Sequence, residues 1–214
     1  YRHYKKEGVI LELQNATRCC IFMKKSKTEK KIQDALLLLL KTESINHITM
    51  SQIAQKANLN RVTLYRHYND KWDILENIEQ EFLHKLDTPH AKMITNLQLT
   101  TQSLHPHPNL RALTSFFKVF QDNFPLLQVL MAPNANLGFT NKLMTYLINL
   151  EEKSHPYIPV SIQKLNPDMF SYYSISSLIG IIQFWRKNQN YSPSQMAEFF
   201  FKIRIGAIKE FQNK

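Results

Sequence analysis

Thr49 and Asn60 are two helix-capping residues eleven positions apart, and the chain between them has room for two helical turns and a corner. Gln52 stands three positions after Thr49, the reciprocal capping-box spacing, and Ile48 and Ile53 stand at hydrophobic-staple positions. The spacing predicts a helix over 50–57 that buries Ile53, Ala54 and Ala57 and exposes Ser51, Gln52 and Gln55. Asn58-Leu59-Asn60 is the corner. Asn58 tolerates the left-handed backbone that ends a helix, Leu59 plugs inwards, and Asn60 caps the second helix. That second helix, Arg61 to about Tyr68, is dense with donors: Arg61, Thr63, Tyr65, Arg66 and His67. Asn69-Asp70 stops it, and Lys71 starts a further helix carrying Trp72, Ile74, Leu75, Ile78 and Phe82. Two short helices on a tight turn, the second polar and basic, form a helix-turn-helix, whose second helix enters the DNA major groove by its N-terminal end.

The flanking sequence agrees. Ile32, Ala35, Leu36, Leu39 and Leu40 form one apolar stripe of a helix that Thr28 can cap. Lys27, Lys30 and Lys31 crowd its first turns, where cations oppose the helix dipole and gain only if phosphates lie nearby. Residues 23–71 carry ten Lys or Arg against four Asp or Glu, whereas 72–86 carry one against four, so the basic segment stops where the DNA contact would stop. The whole chain is at +10 with a pI near 9.5, which suits a polyanionic partner. Four glycines in 214 residues are too few for phosphate loops or a hairpin-rich β fold, so an all-α protein is expected. Cys19 and Cys20 have no other cysteine to pair with, which excludes a disulfide scaffold or a cysteine zinc cage. No window approaches 18 apolar residues and the first residues lack signal-peptide order, so no membrane span and a cytoplasmic location are expected. Met23-Lys24-Lys25-Ser26 reads as a start, with 1–22 a dispensable or non-native extension.

Asp87-Thr88-Pro89-His90 interrupts the pattern and suggests a junction between a domain at 23–86 and one at 87–214. Helical blocks return at 109–121, 125–131, 138–154, 167–188 and 193–213, with Pro125, Pro167 and Pro193 in first turns and Ser192 as a cap. The last two blocks are apolar nearly all round, so each needs cover on two sides. A second copy supplying the same helix pair, a twofold four-helix bundle, is the simplest cover. Tyr173, Gly180, Phe184, Phe200 and Ile208 are the expected interface, Gly180 allowing close helix approach. His105-Pro106-His107-Pro108 has two histidines on a stiff turn with no carboxylate spaced nearby, so neither metal nor cofactor is expected. No Ser-His-acid, metal-ligand or phosphate-loop arrangement is present, and catalysis is not expected.

Ile53-Ala54, Leu59, Thr63-Leu64-Tyr65-Arg66-His67-Tyr68, Asp70-Lys71 and Leu75 together resemble the DNA-binding domain of TetR/AcrR-type repressors, over about residues 28–82. The departures are Asn58 where Gly is usual, Arg61-Val62 where small residues are usual, and Tyr68 where Phe is commoner. The second departure implies an unusual operator preference. The resemblance implies an N-terminal three-helix DNA-binding domain and a C-terminal helical bundle for effector sensing and dimerisation. It implies phosphate contacts from Thr49, Tyr65, His67 and Lys71, with Lys27 in the basic flank. Base readers are drawn from Arg61, Val62, Thr63 and Arg66, with Arg61 bidentate to guanine. Phe116-Phe117, Asn123, Leu126-Leu127, Tyr172-Tyr173, Gly180, Trp185 and Ser192-Pro193 are similar to the subgroup containing the activator of dihydroxyacetone-kinase operons. An effector, small molecule or protein, would bind among the helices between 109 and 188, with Asp122, Asn123, Tyr172 and Gln183 as its polar groups. The expected protein is a homodimeric repressor on double-stranded DNA. The alternative is a helical interaction protein or activator working through a partner, with DNA binding weak or lost.

Overall fold

The computed structural model describes residues 26–101, 110–132, 135, 138–153 and 166–212. Among them are ten helices and no strand: α1 Lys27–Leu39, α2 Met50–Ala57, α3 Arg61–Tyr65, α4 Lys71–His84, α5 Asp87–Thr101, α6 Arg111–Asp122, α7 Phe124–Leu130, α8 Phe139–Glu152, α9 Pro167–Lys187 and α10 Pro193–Gln212. No helix among the described residues is long and apolar enough to cross a membrane. The segment 1–22, its two cysteines and the His105–Pro108 turn lie outside the described residues.

α1 starts two residues earlier than a Thr28 cap would place it, because Ser26 and not Thr28 is the cap. The Ser26 hydroxyl accepts from the Glu29 amide at 3.1 Å, and the Glu29 carboxylate accepts from the Ser26 amide at 2.9 Å. This capping box puts an acid in the first turn, offsetting the dipole mismatch of Lys27 and Lys30. α1 buries Ile32, Ala35, Leu36 and also Gln33, a polar residue inside the apolar stripe.

The helix-turn-helix forms as its caps dictate. Thr49 accepts from the Gln52 amide and the Gln52 side chain accepts from the Thr49 amide at 2.7 Å. Asn58 sits at φ 54°, ψ 51°, the left-handed geometry expected of it. The Leu59 amide donates to Ala54 O at 2.9 Å and the Asn58 amide to Gln55 O at 3.1 Å, the paired bonds of a Schellman turn. Asn60 then accepts from the Val62 amide at 3.0 Å and starts α3. α3 is shorter than the sequence suggested, ending at Tyr65 with a turn running on to Tyr68.

Residues 87–90 do not interrupt the helices as expected. Asp87 begins α5, and Pro89 falls in its first turn, where a missing N–H costs no helical bond. The corner between α4 and α5 is two residues, Lys85 and the buried Leu86. Beyond it, α6 to α10 match the expected blocks within a residue or two, and Ser192 makes a capping box with Gln195. One apolar cluster runs from Ile32 in α1 to Phe200 in α10. At its centre Phe117 packs on Trp185 and Phe200, and the Trp185 indole N–H donates to Tyr191 O at 2.9 Å. Phe82 of α4 joins the two ends, meeting Phe120 and Phe139 edge-on at 5.8 and 6.1 Å.

Candidate nucleic-acid interface

The five-residue α3 turns a single side chain, Leu64, fully into the core. Arg61, Val62, Tyr65 and Arg66 are exposed, Val62 by 60% and Tyr65 by 55%, and Thr63 is half-buried. Among the described residues neither Arg61 nor Arg66 is ion-paired with a carboxylate, so both guanidinium groups are available to an outside acceptor. Lys27, Lys30, Lys31 and Lys56 lie on the same domain, adding to its positive charge. A short helix with two free guanidinium groups, a phenol and an apolar valine presents what base edges, a thymine methyl and phosphates take.

Three expected phosphate ligands do something else. The Lys71 ammonium donates to Asn46 O at 2.7 Å and Ile48 O at 2.9 Å, bracing the loop before α2 against α4. Two of its three protons are used inside the molecule, so Lys71 is a brace. His67 turns back to α1, with Nδ1 3.5 Å from the Glu29 carboxylate. That carboxyl is held below its ordinary value by the Ser26 amide first, with smaller help from the Ser26 hydroxyl and His67. The Thr49 hydroxyl is used in its own cap, donating to Gln52 at 2.8 Å. Tyr65 alone of the four has an exposed side chain with no partner among the described residues.

A feature that sequence reasoning missed lies beneath α3. The buried Gln33 amide donates to Asn77 at 2.7 Å, Glu81 at 2.9 Å and Tyr68 at 3.1 Å, and the Tyr68 hydroxyl donates to Asn77 at 3.5 Å. The available signals were a glutamine inside an apolar stripe and Asn77 and Glu81 one turn apart on α4.

The expected effector groups do not converge. Asp122 pairs with Lys118 at 2.8 Å on the surface. Asn123 holds a corner, accepting from Lys85 at 2.9 Å and donating to Val119 O at 2.7 Å. Tyr172 and Gln183 are exposed, three turns apart on the outer face of α9. A cavity of about 60 Å³ lies elsewhere, between α5, α6, α8, α9 and α10, bounded by His90, Met93, Phe116, Glu151, Phe200 and Arg204 among others. Sites for drug-sized ligands are several times larger, on the order of 300–1,000 Å³. Glu151 accepts from Arg204, whose guanidinium lies 5.2 Å from the Phe170 ring.

His90 is buried at this cavity, and burial holds its imidazole below the ordinary 6.5, against an opposing pull from Glu151. A histidine depressed in the folded state costs nothing while both states are neutral. It costs stability as pH falls below 6.5, where only the unfolded chain takes up the proton. Unfolding midpoints are therefore expected to drop from about pH 7 to about pH 5 more steeply in the native chain than in His90→Gln. Parallel profiles would mean that His90 is not the group responsible.

The expected pairing face is partly corrected. Tyr173, Gly180 and Phe184 do line the exposed side of α9, but Phe200 is buried against Phe117 at 6.0 Å and belongs to the chain's own core. The side chain of Ile208 lies outside those described. Phe199 and Ile203 of α10 are exposed in its place, and Gly180 has no heavy atom near its missing side chain within 4 Å. Met169, Tyr172, Tyr173 and Phe184 thus form an uncovered apolar stripe on α9.

Residues 32–78 match the family model described as "Bacterial regulatory proteins, tetR family", and residues 110–206 that described as "Transcriptional regulator C-terminal region" of TetR type. The uncharacterized HTH-type transcriptional regulator YxbF of Bacillus subtilis (strain 168) is 26% identical over 157 residues, 73% of this chain. The chain spans only 39% of that relative's length. NalD, the secondary repressor of the MexAB-OprM multidrug efflux pump in Pseudomonas aeruginosa, superposes with a TM-score of 0.56 at 20% identity, covering 84% of this chain and 94% of NalD. The dihydroxyacetone kinase operon activator DhaS superposes at 0.55 and 17% identity, covering 86% of this chain and 98% of DhaS. At these identities both likenesses are likenesses of fold. With both halves of the chain matched in order and the helix-turn-helix formed at the expected residues, the chain belongs to the TetR family of bacterial transcriptional regulators.

Proposed function

We propose that this protein is a homodimeric transcriptional regulator that binds double-stranded operator DNA in the cytoplasm, with residues 23–86 as the reading domain and 87–214 as the sensing and pairing domain. The observation that carries the reading is α3, a capped five-residue helix on a basic domain with Arg61, Val62, Tyr65 and Arg66 unengaged and exposed. Repression is the simplest mode, since a dimer on an operator excludes other proteins from it, and NalD is a repressor of the same fold. DhaS, an activator, has that fold too, so the sign is read from the promoter and not from the helices.

Control would act through α4. Its buried Glu79 accepts from Lys142 of α8 at 2.7 Å, and Lys85 at its end reaches Asn123, so any shift of α6 or α8 is felt by the helix next after α3. An effector changing this packing by about 1–3 kcal/mol between two dimer states alters operator affinity roughly 5- to 150-fold.

Fluorescence anisotropy of the full chain on duplexes from upstream of its own gene, beside a scrambled duplex and at three salt concentrations, tests the reading. The expected result is selective binding that weakens steeply with salt as counterions are released. Tyr65→Ala is expected to lower operator affinity about tenfold, the loss of one charge-assisted hydrogen bond to phosphate. Equal affinity for operator and scrambled DNA would instead favour a protein that works through a partner.

A further inference from the structure

α3 is too short to hold itself: five residues are barely one helical turn, far below the length at which a helix is stable alone. Its orientation is therefore set by what grips its two ends and its one buried side chain. The front end is gripped by the Asn58 turn and the Asn60 cap, and Leu64 anchors the middle. The rear end is gripped by Tyr68. Its amide donates to Leu64 O at 3.1 Å, so the turn after α3 is continuous with the helix. Its hydroxyl accepts from Gln33 of α1 at 3.1 Å and donates to Asn77 of α4 at 3.5 Å.

The network is closed on the α1 and α4 side without Tyr68. Gln33 already reaches Asn77 at 2.7 Å and Glu81 at 2.9 Å, so α1 and α4 remain joined if the hydroxyl is removed. An amide has only two protons for these three acceptors, so one is shared, and the Tyr68 hydroxyl has its own bond to Asn77 besides. Burial pushes the Tyr68 phenol up to about 12, so its proton stays in place throughout the range in which the protein works. What the hydroxyl adds is a fixed roll of the α3 end relative to two longer helices.

Building on the regulator reading, we propose that Tyr68 is a positioning residue for operator selectivity: its hydroxyl, held by Gln33 and Asn77, sets the roll of α3 and so where Arg61, Val62 and Arg66 fall against base edges. Base readout demands bidentate geometry, whereas a phosphate contact tolerates displacement. Loss of the hydroxyl therefore affects the two kinds of contact unequally. Binding to the correct sequence weakens and binding to any duplex does not. Asn77 makes the same point from the other side, because it ties the roll of α3 to the helix through which control is exerted.

The test uses the full chain with Tyr68→Phe, which keeps the buried ring, and Asn77→Ser, which keeps the ring and hydroxyl but withdraws the acceptor. Operator and scrambled-duplex affinities are measured for each variant and for the double variant. The expected result is a fall of about tenfold in the ratio of the two affinities for Tyr68→Phe, within the cost of one misplaced base contact. The scrambled-duplex affinity and its salt slope stay within about twofold. The double variant is expected to lose little more than the worse single one, since both remove the Tyr68–Asn77 bond, Asn77→Ser losing the bond from Gln33 as well. Equal losses on both duplexes, or single losses that multiply in the double variant, would overturn the inference and leave Tyr68 a core residue only. Should the unmodified chain fail to prefer its operator, the regulator reading falls and the inference with it. Selectivity that survives Tyr68→Phe defeats the inference alone.

Discussion

Phe184→Glu is expected to turn the protein from a dimer into a monomer and to lower operator affinity by more than about a hundredfold. Phe184 projects 52% exposed from the C-terminal end of the apolar stripe on α9, one turn from Gly180, and Phe199 and Ile203 of α10 are exposed as well. The stripe repeats at helical spacing, so it is one face of the helix and not scattered surface apolarity. Gly180 removes a side chain where a partner helix would cross, and nothing in the same chain occupies the space within 4 Å. In a twofold pairing each copy contributes the same face, so one substitution places two carboxylates at the seam. A carboxylate taken out of water without a partner is costly enough to prevent association. A single α3 reaches only one half-site, and a monomer forfeits the contacts of the second, a helical turn away. Sedimentation velocity and anisotropy on one preparation check both effects, with Gln189→Glu as a charge control off the stripe. A Phe184→Glu protein that still sediments as a dimer would remove α9 from the interface.

The parts of the molecule that were legible in the sequence are those governed by short-range chemistry. Thr49 with Gln52, Asn58, and Asn60 each satisfy backbone groups within three or four residues, and each does in the structure what its spacing requires. Pro125, Pro167 and Ser192 worked the same way at α7, α9 and α10. Pro89 misled because a proline is equally at home as a helix breaker and in a first turn, and only the tight corner at Leu86 decides between them. Lys71 and His67 have partners inside the molecule that the sequence did not show. A basic side chain beside a helix-turn-helix is drawn equally to phosphate and to an unsatisfied carbonyl or carboxylate, and those of Asn46, Ile48 and Glu29 come near only in the folded chain. Tyr172 and Gln183 were placed in a pocket by residue type, yet they share the helical phase of Gly180 and face outwards. The Gln33–Tyr68–Asn77 network ties Gln33 to residues more than thirty positions away and leaves no local signature beyond a polar residue in an apolar stripe.

Phe82→Ala is expected to destabilise the whole chain by about 3–5 kcal/mol, and to do so in both halves at once. The ring is fully buried where α4 meets α6 and α8, in contact with Phe120 of α6 and Phe139 of α8. Truncation opens a cavity that neither helix can close, because α6 is already held by Phe117 on Trp185 and Phe200 and α8 by Lys142 on Glu79. Were the reading domain an independent unit, the damage would stay with α4 and α1. A single apolar cluster from Ile32 to Phe200 argues otherwise. Hydrogen exchange in rising denaturant, monitored by mass spectrometry on peptides covering 32–40 and 178–186, measures the two halves separately. Both are expected to lose protection at the same lowered midpoint. If the α9 peptide keeps its native midpoint while the α1 peptide opens early, the halves fold apart, and α4 cannot carry a sensed change to α3 through Phe82. A common midpoint means that the same contacts that stabilise the fold also transmit the packing of α6 and α8 to the reading helix, because no boundary between the two domains is free to slip.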